Sequence, residues 1–477
     1  MHDTSAIKTC DPRMLAARAW IGLSVISLVV AGLFALLLVV GRMPPLDRLF
    51  TDPLFFRRCL VVHVNLSLVI WFHAFLVGLT GLLPGAGRRP ALRGLGLIVA
   101  SCGGLLLIAS AATPGALPVL SNYVPAIDHP LFLAALAGLG IGLALTLLDG
   151  RLETEGDAAA PLTETAIPAL RGAAVALLLA LVTFFASAMT TPALLPQQRY
   201  ELLAWGGGHV LQVASLAAML ACWLILTTSL VGQSPLRRGS VSALFAALVL
   251  PLLAAPVIAL RGTTAPGYKG AFTLLMQLGT WPVALIVLIA CVRSLRAARA
   301  SGQLTAWLDV RFLGLGASMA LTVLGFVLGA MIRGSNTVVP AHYHASIGAV
   351  TVAFMAVTQL LLEPLGLSLP RRFPRLVAWQ PVLFGIGQSI FAAGFALAGA
   401  AGMERKVYGV EQVRSATQTV GLAIMGIGGL IAVAGGLLFL AIVGAAWRRR
   451  TLVSSGSSEP RRIEWNKAKA ASIHSRS

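Results

Sequence analysis

Charge is scarce in this sequence. Of 477 residues, 11% are Asp, Glu, Lys or Arg, and 57% are apolar. A soluble domain needs a charged, solvated surface, so this composition excludes one. Cysteine is scarce too. The five residues Cys10, Cys59, Cys102, Cys222 and Cys291 are scattered, odd in number and never paired as C-x-x-C. That excludes a disulfide framework and a thiolate metal cluster. No Asp, Glu or Lys sits in the middle of an apolar run. An obvious charged path through the membrane is therefore missing. No internal repeat of clear period is visible, so the repeat architecture of many transporters gains no support.

What is present is apolar length. The mean hydropathy is +0.86, and a spanning helix needs about 20 apolar residues. Twelve runs meet that measure, at 19–41, 59–83, 93–113, 131–149, 167–190, 201–231, 239–260, 271–293, 312–332, 341–362, 376–402 and 417–446. The fold class is all-α: a polytopic membrane domain of twelve helices over 19–446. A cytoplasmic tail (1–18) precedes it and a basic, disordered cytoplasmic tail (447–477) follows. No small-residue cleavage site follows the first run, which reads as a retained span.

Lys and Arg set the orientation. With the N-terminus inside, 25 of the 36 fall on the cytoplasmic side and 11 outside. Both termini are then cytoplasmic, in an inner (plasma) membrane. The net charge of +19 is mostly this topology signal. The basic tail is suited to anionic lipid. Charge in short scattered loops does not make a nucleic-acid surface.

Eight histidines occur in the chain, and four share one depth. His63 lies near the start of the second span, His209 near the start of the sixth, and His342 and His344 near the start of the tenth. All three spans begin at the outer face. Residues two apart on a helix point about 200° apart, so His342 and His344 cannot hold one ion together. Each serves a different partner, as a helix wedged between two flat cofactors would require. Neutral imidazole is a good axial ligand for haem iron. A lone membrane histidine commonly serves as a hydrogen-bonding contact, and the shared depth and the H-x-H pair favour ligands here. His73, ten residues past His63 and about 80° around an ideal helix, reads as structural or pore-lining. His129 reads as a turn residue or an interface contact.

Four stretches now fall into a pattern: "RRCLVVHVNLS", "WGGGHVLQ", "PAHYHASIGAVTVAFM" and "GMERKVYG". In this order, across twelve spans, they resemble subunit I of the haem–copper oxidases, which include cytochrome c oxidases and nitric oxide reductases. The resemblance covers nearly the whole chain. It implies two haems: a low-spin one between His63 and His344, and a high-spin, reactive one on His342. It implies that Arg405 and Lys406 bind haem propionates. It implies electron flow through the low-spin to the high-spin haem for reduction of oxygen or nitric oxide. Electrons would come from a partner subunit or a cytochrome c.

The pattern is incomplete at one place. The family's reactive site also holds a copper, or an iron, on three histidines. His209 resembles one of them, but the end of the seventh span, "LLAAPVIALRGTTAPGYKGAF", has no histidine. One imidazole does not hold a copper that needs about three nitrogen donors. The family's redox tyrosine is also expected to be missing near His209. Tyr123, Tyr200, Tyr268, Tyr343 and Tyr408 all fall in loops or at helix ends. The alternative function is therefore a haem protein for electron transfer or gas sensing, without oxidase activity.

Overall fold

A computed structural model describes residues 12–40, 52, 54–86, 88–149, 162, 164–305, 307–368, 374–405 and 415–448. Twelve helices among them are long and apolar enough to cross a membrane. They are α1 (Pro12–Val40), α2 (Phe55–Thr80), α3 (Pro90–Ala112), α4 (Pro130–Leu147), α5 (Ala166–Thr190), α6 (Pro196–Val231), α7 (Arg238–Leu260), α8 (Tyr268–Ala300), α9 (Val310–Ala330), α10 (Val338–Leu361), α11 (Pro374–Ala400) and α12 (Ala416–Arg448). The protein is an all-α multi-pass membrane bundle, as the run lengths require. The loop 150–161, both terminal tails and Lys406 lie outside the described residues.

Local chemistry sets the helix ends. Pro90, Pro130 and Pro196 open α3, α4 and α6, where a missing N–H costs nothing. Gly232 closes α6 in the left-handed region at φ 81°, which glycine adopts without strain. His129 accepts a hydrogen bond from the Leu131 N–H at 3.1 Å and caps α4. The turn role expected for His129 thus has a definite form.

Three helices form the centre. Burial covers 83% of the most apolar window of α6, 78% of that of α10 and 67% of that of α2, against 22% for α8. These are the three helices that carry His63, His209, His342 and His344. Their packing is uneven along their length. Every residue from Trp71 to Thr80 of α2 is buried, and so is every residue from Gly348 to Gln359 of α10. Trp71, Phe75, Phe354 and Phe439 fill this half with rings at 4.3–6.1 Å centroid separation. In the other half, His63, Ser67, His342, His344 and Ser346 are only partly buried. The bundle is solid at one end and open inside at the histidine end.

Two local departures from regular helix occur at that end. Residues Asn65–Ile70 of α2 form a π-helical stretch directly after His63. Such stretches carry an extra residue per turn and concentrate at functional sites. The angle expected between His63 and His73 presumed an unbroken α-helix, and this stretch changes it. Between α3 and α4, β1 (Leu117–Val119) pairs antiparallel with β2 (Ala126–Asp128), with Pro118 opposite Ile127. Arg58, 1% exposed, donates to the carbonyls of Ala111 at 3.0 Å and Ala116 at 3.2 Å. It also pairs with Asp52. That guanidinium holds the Asp52 carboxyl below its ordinary pKa. Arg58 thereby ties α2 to the hairpin.

Small residues bring α11 and α12 into backbone contact. A Cβ on Gly387 would lie 2.3 Å from the Ala432 nitrogen, and one on Gly394 would lie 2.3 Å from the Met425 nitrogen. Membrane helices associate through such close approach because no hydrophobic drive separates helix from lipid. Gly387→Ala is expected to destabilise the protein by about 1–3 kcal/mol, the usual cost of overpacking. Thermal unfolding in detergent reads it. Gly436→Ala is the control, because a Cβ there meets nothing within 4 Å.

Candidate functional site

Each histidine ring has its own setting. His63 Nδ1 lies 2.8 Å from the Ala31 carbonyl of α1. His342 Nδ1 lies 2.7 Å from the Gly325 carbonyl of α9. A carbonyl only accepts, so Nδ1 carries the proton in both rings. Each Nε2 is then left with its lone pair. This is how metal-binding imidazoles are held: the second nitrogen donates to a carbonyl or carboxylate and fixes the tautomer. Glycines make room for the His342 ring. A Cβ on Gly329 would lie 2.9 Å from its Nδ1, and one on Gly325 would lie 2.6 Å from Ser346 Oγ.

His344 projects the other way, as the spacing of two demands. Its ring packs on Phe391 and Phe395 of α11, at centroid distances of 4.6 Å and 5.9 Å. It also lies within electrostatic reach of His63. The structure therefore sets His344 against α11 and His342 against α9. A buried acceptor near His344, Gln388 Oε1, has no hydrogen-bond partner among the described residues. Gln388 packs where Gly348 leaves space, one turn from His344 on α10. Oriented imidazoles, apolar rings and an orphaned acceptor in a half-open interior fit a flat, largely apolar cofactor such as haem.

Gln212 is exposed although α6 is the most buried helix. It shares a helix face with Met219, seven residues on. Met219 Sδ accepts from Thr322 Oγ1 of α9 at 3.8 Å. One turn further, Trp223 donates to Ser318 at 2.8 Å, and Ser318 donates to the Ala349 carbonyl at 2.8 Å. These contacts tie α6 to α9 and α9 to α10, about two to three turns along from Gln212 on α6 and about two from His342 on α10.

His209 is held differently. Its Nδ1 lies 2.7 Å from the Trp205 carbonyl, and its Nε2 lies 2.8 Å from the Tyr123 hydroxyl. The family's redox tyrosine is not expected near His209, yet a loop tyrosine stands there: the β1–β2 loop carries Tyr123 to it across 86 positions of sequence. No spacing rule reads such a contact. The glycines of "WGGGH" are explained by it as well. A Cβ on Gly208 would lie 2.4 Å from Tyr123 Cβ, one on Gly207 2.5 Å from the Phe184 ring and one on Gly206 2.7 Å from the Phe272 ring. The close approach is to protein aromatics. His73 is buried and bonded to the Val69 carbonyl at 2.7 Å, with Ser215 Oγ at 3.4 Å, which suits the structural role expected of it.

At the rim, Arg405 donates to Asn122 Oδ1 at 3.0 Å and to Ser335 Oγ at 3.3 Å. Asn122 in turn donates its backbone N–H to Glu201 at 2.9 Å. Arg405, Glu201, Lys269 and Gln198 border a cavity of about 530 Å³. Among the described residues, no group of three His, Cys, Asp or Glu side chains is placed to hold a metal ion.

No family model matches the chain. An uncharacterized protein of Aquifex aeolicus (strain VF5) is 29% identical over 378 residues, which covers 76% of this chain and 89% of that one. An uncharacterized protein of Rickettsia prowazekii (strain Madrid E) is 25% identical over 489 aligned positions, covering 90% and 95%. Among solved structures, a heme-copper terminal oxidase dimer superposes with a TM-score of 0.68. That match covers 92% of this chain and 84% of the other at 14% identity. The twelve-helix fold is thus shared with a heme-copper terminal oxidase.

Proposed function

We propose that this protein binds two haems and is a membrane oxidoreductase that passes electrons from one to the other. His63 and His344 would hold the first. His342 would hold the second, which would supply the reaction with oxygen or nitric oxide. The observation that carries this reading is the pair of Nδ1 contacts, His63 to Ala31 and His342 to Gly325. Both leave Nε2 with its lone pair beside a partly open interior. Haem bound there would supply one-electron redox chemistry. The chain itself orients the imidazoles, seals one half of the bundle with Trp71, Phe75, Phe354 and Phe439, and places the open half at one face. The shared oxidase fold supports the reading. Arg405, with donors left after its bonds to Asn122 and Ser335, is the described cation suited to a haem carboxylate, and Lys406 is the second candidate from sequence. The electron donor would be a partner subunit or a cytochrome c. The membrane is the plasma membrane, with both termini in the cytoplasm.

A second reading has one observation in its favour. His209, the sequence candidate for a second metal, has both ring nitrogens engaged. A haem protein for electron transfer or gas sensing, without oxidase turnover, needs no second metal. Purified protein is expected to give a Soret band and two haems per chain by pyridine haemochrome assay. Protein without a Soret band, or with a single haem, overturns the proposal. Consumption of oxygen or nitric oxide with a reduced cytochrome c or an artificial donor separates the two readings.

A further inference from the structure

We propose that a hydrogen-bonded Tyr123–His209 pair occupies the place where a second metal would need His209, so that Tyr123 belongs to the functional site and no metal binds there. The geometry of the pair stands without any haem; its position beside the reactive haem rests on the reading above.

The proton assignment follows from acceptors. The Trp205 carbonyl, 2.7 Å from Nδ1, can only accept, so Nδ1 carries the hydrogen. Nε2 is then the acceptor, and the Tyr123 hydroxyl donates to it at 2.8 Å. The ring has no lone pair left for a metal.

Tyr123 is not easily displaced. Its backbone is left-handed at φ 67°, costly for a bulky residue and tolerated where the surroundings over-determine it. Here they do. Ser121 Oγ donates to the Val124 carbonyl at 2.6 Å. Asn122 is held by Glu201 and Arg405. The ring lies 4.4 Å from that of His209 and edge-on to Trp205 at 5.6 Å, against the bare backbone of Gly208. A metal would have to break this bond and reshape the loop, and would gain one imidazole where about three nitrogen donors are needed. Gln212, the next polar group on that face, offers only a neutral amide.

The test uses full-length protein in detergent. Wild type and His209→Gln are incubated with excess copper(II), passed over a chelating resin and analysed for metal. Both are expected to keep far less than one copper per chain. One copper per wild-type chain that is lost in His209→Gln overturns the proposal. In parallel, protein labelled with ring-13C tyrosine is examined by infrared spectroscopy. The band of a phenol donating to imidazole should vanish in Tyr123→Phe and shift in His209→Gln, and Tyr200→Phe should leave it in place. A tyrosine spectrum identical in wild type and His209→Gln overturns the proposal as well. Tyr123→Phe keeps the ring that fills the Gly208 contact, so folding is preserved. Neither readout needs haem: a missing Soret band would remove the haem reading and leave this inference standing or falling on its own.

Discussion

His344→Ala and His63→Ala are each expected to abolish the spectrum of a six-coordinate haem. A haem ligated on both faces loses that state when either imidazole goes. On the proposed reading the two rings share one haem. They stand on separate helices, α10 and α2, within electrostatic reach of one another. They are not held alike. His63 is fixed by the Ala31 carbonyl, whereas His344 is positioned by the Phe391 and Phe395 rings. Phe391→Ala should therefore loosen His344 and weaken the signal. Loss of a supporting contact typically costs about 10–100-fold in metal affinity, so loss of the ligand itself should cost more. The measurement is the low-temperature absorption and paramagnetic resonance spectrum of the purified protein. Imidazole added to His344→Gly should restore part of the signal, because it can enter the half-open interior. Six-coordinate spectra that survive in both alanine variants would dissolve the pairing.

Much of this architecture could be read from the sequence, for a simple reason. A bilayer demands about 20 apolar residues per crossing, and that demand is local. The expected run 167–190 became Ala166–Thr190, and 239–260 became Arg238–Leu260. The opposed directions of His342 and His344 were equally local, since helix geometry alone decides them. Other features depend on partners far away in the chain. The π-helical stretch Asn65–Ile70 has no signature of its own: "NLSLVI" is an ordinary apolar hexamer. The β1–β2 pairing joins two three-residue strands, too short for periodicity to show. Tyr123 reaches His209 only because Asn122, Glu201 and Arg405, drawn from three loops and helices, fix its loop. The carbonyls that orient His63 and His342 belong to α1 and α9, and no side-chain pattern marks a carbonyl.

His342→Ala should have the opposite spectroscopic effect to His344→Ala. The six-coordinate signal should persist, and the ability of the reduced protein to bind carbon monoxide or nitric oxide should be lost. The reason is directional. The His342 ring leans on α9, with Nδ1 bonded to Gly325 and the ring over Gly329. It lies against α9, away from the Phe391 and Phe395 rings that hold His344. Removing the imidazole also leaves the Gly325 carbonyl without this donor. That is a minor loss, because helix geometry supplies this carbonyl with a backbone partner one turn on, and the fold should survive. Gly329→Leu is the complementary test. A side chain there would press on the His342 ring without touching His344, and should weaken gas binding while sparing the six-coordinate spectrum. Carbon monoxide difference spectra of the reduced variants read both. Loss of the six-coordinate spectrum in His342→Ala, with gas binding retained, would exchange the roles of the two faces of α10. Loss of both would mean that the two haem sites are not independent. Turnover with oxygen or nitric oxide, if the wild-type protein has it, should fall to background in His342→Ala, because on the proposed reading the substrate meets the iron that His342 would hold.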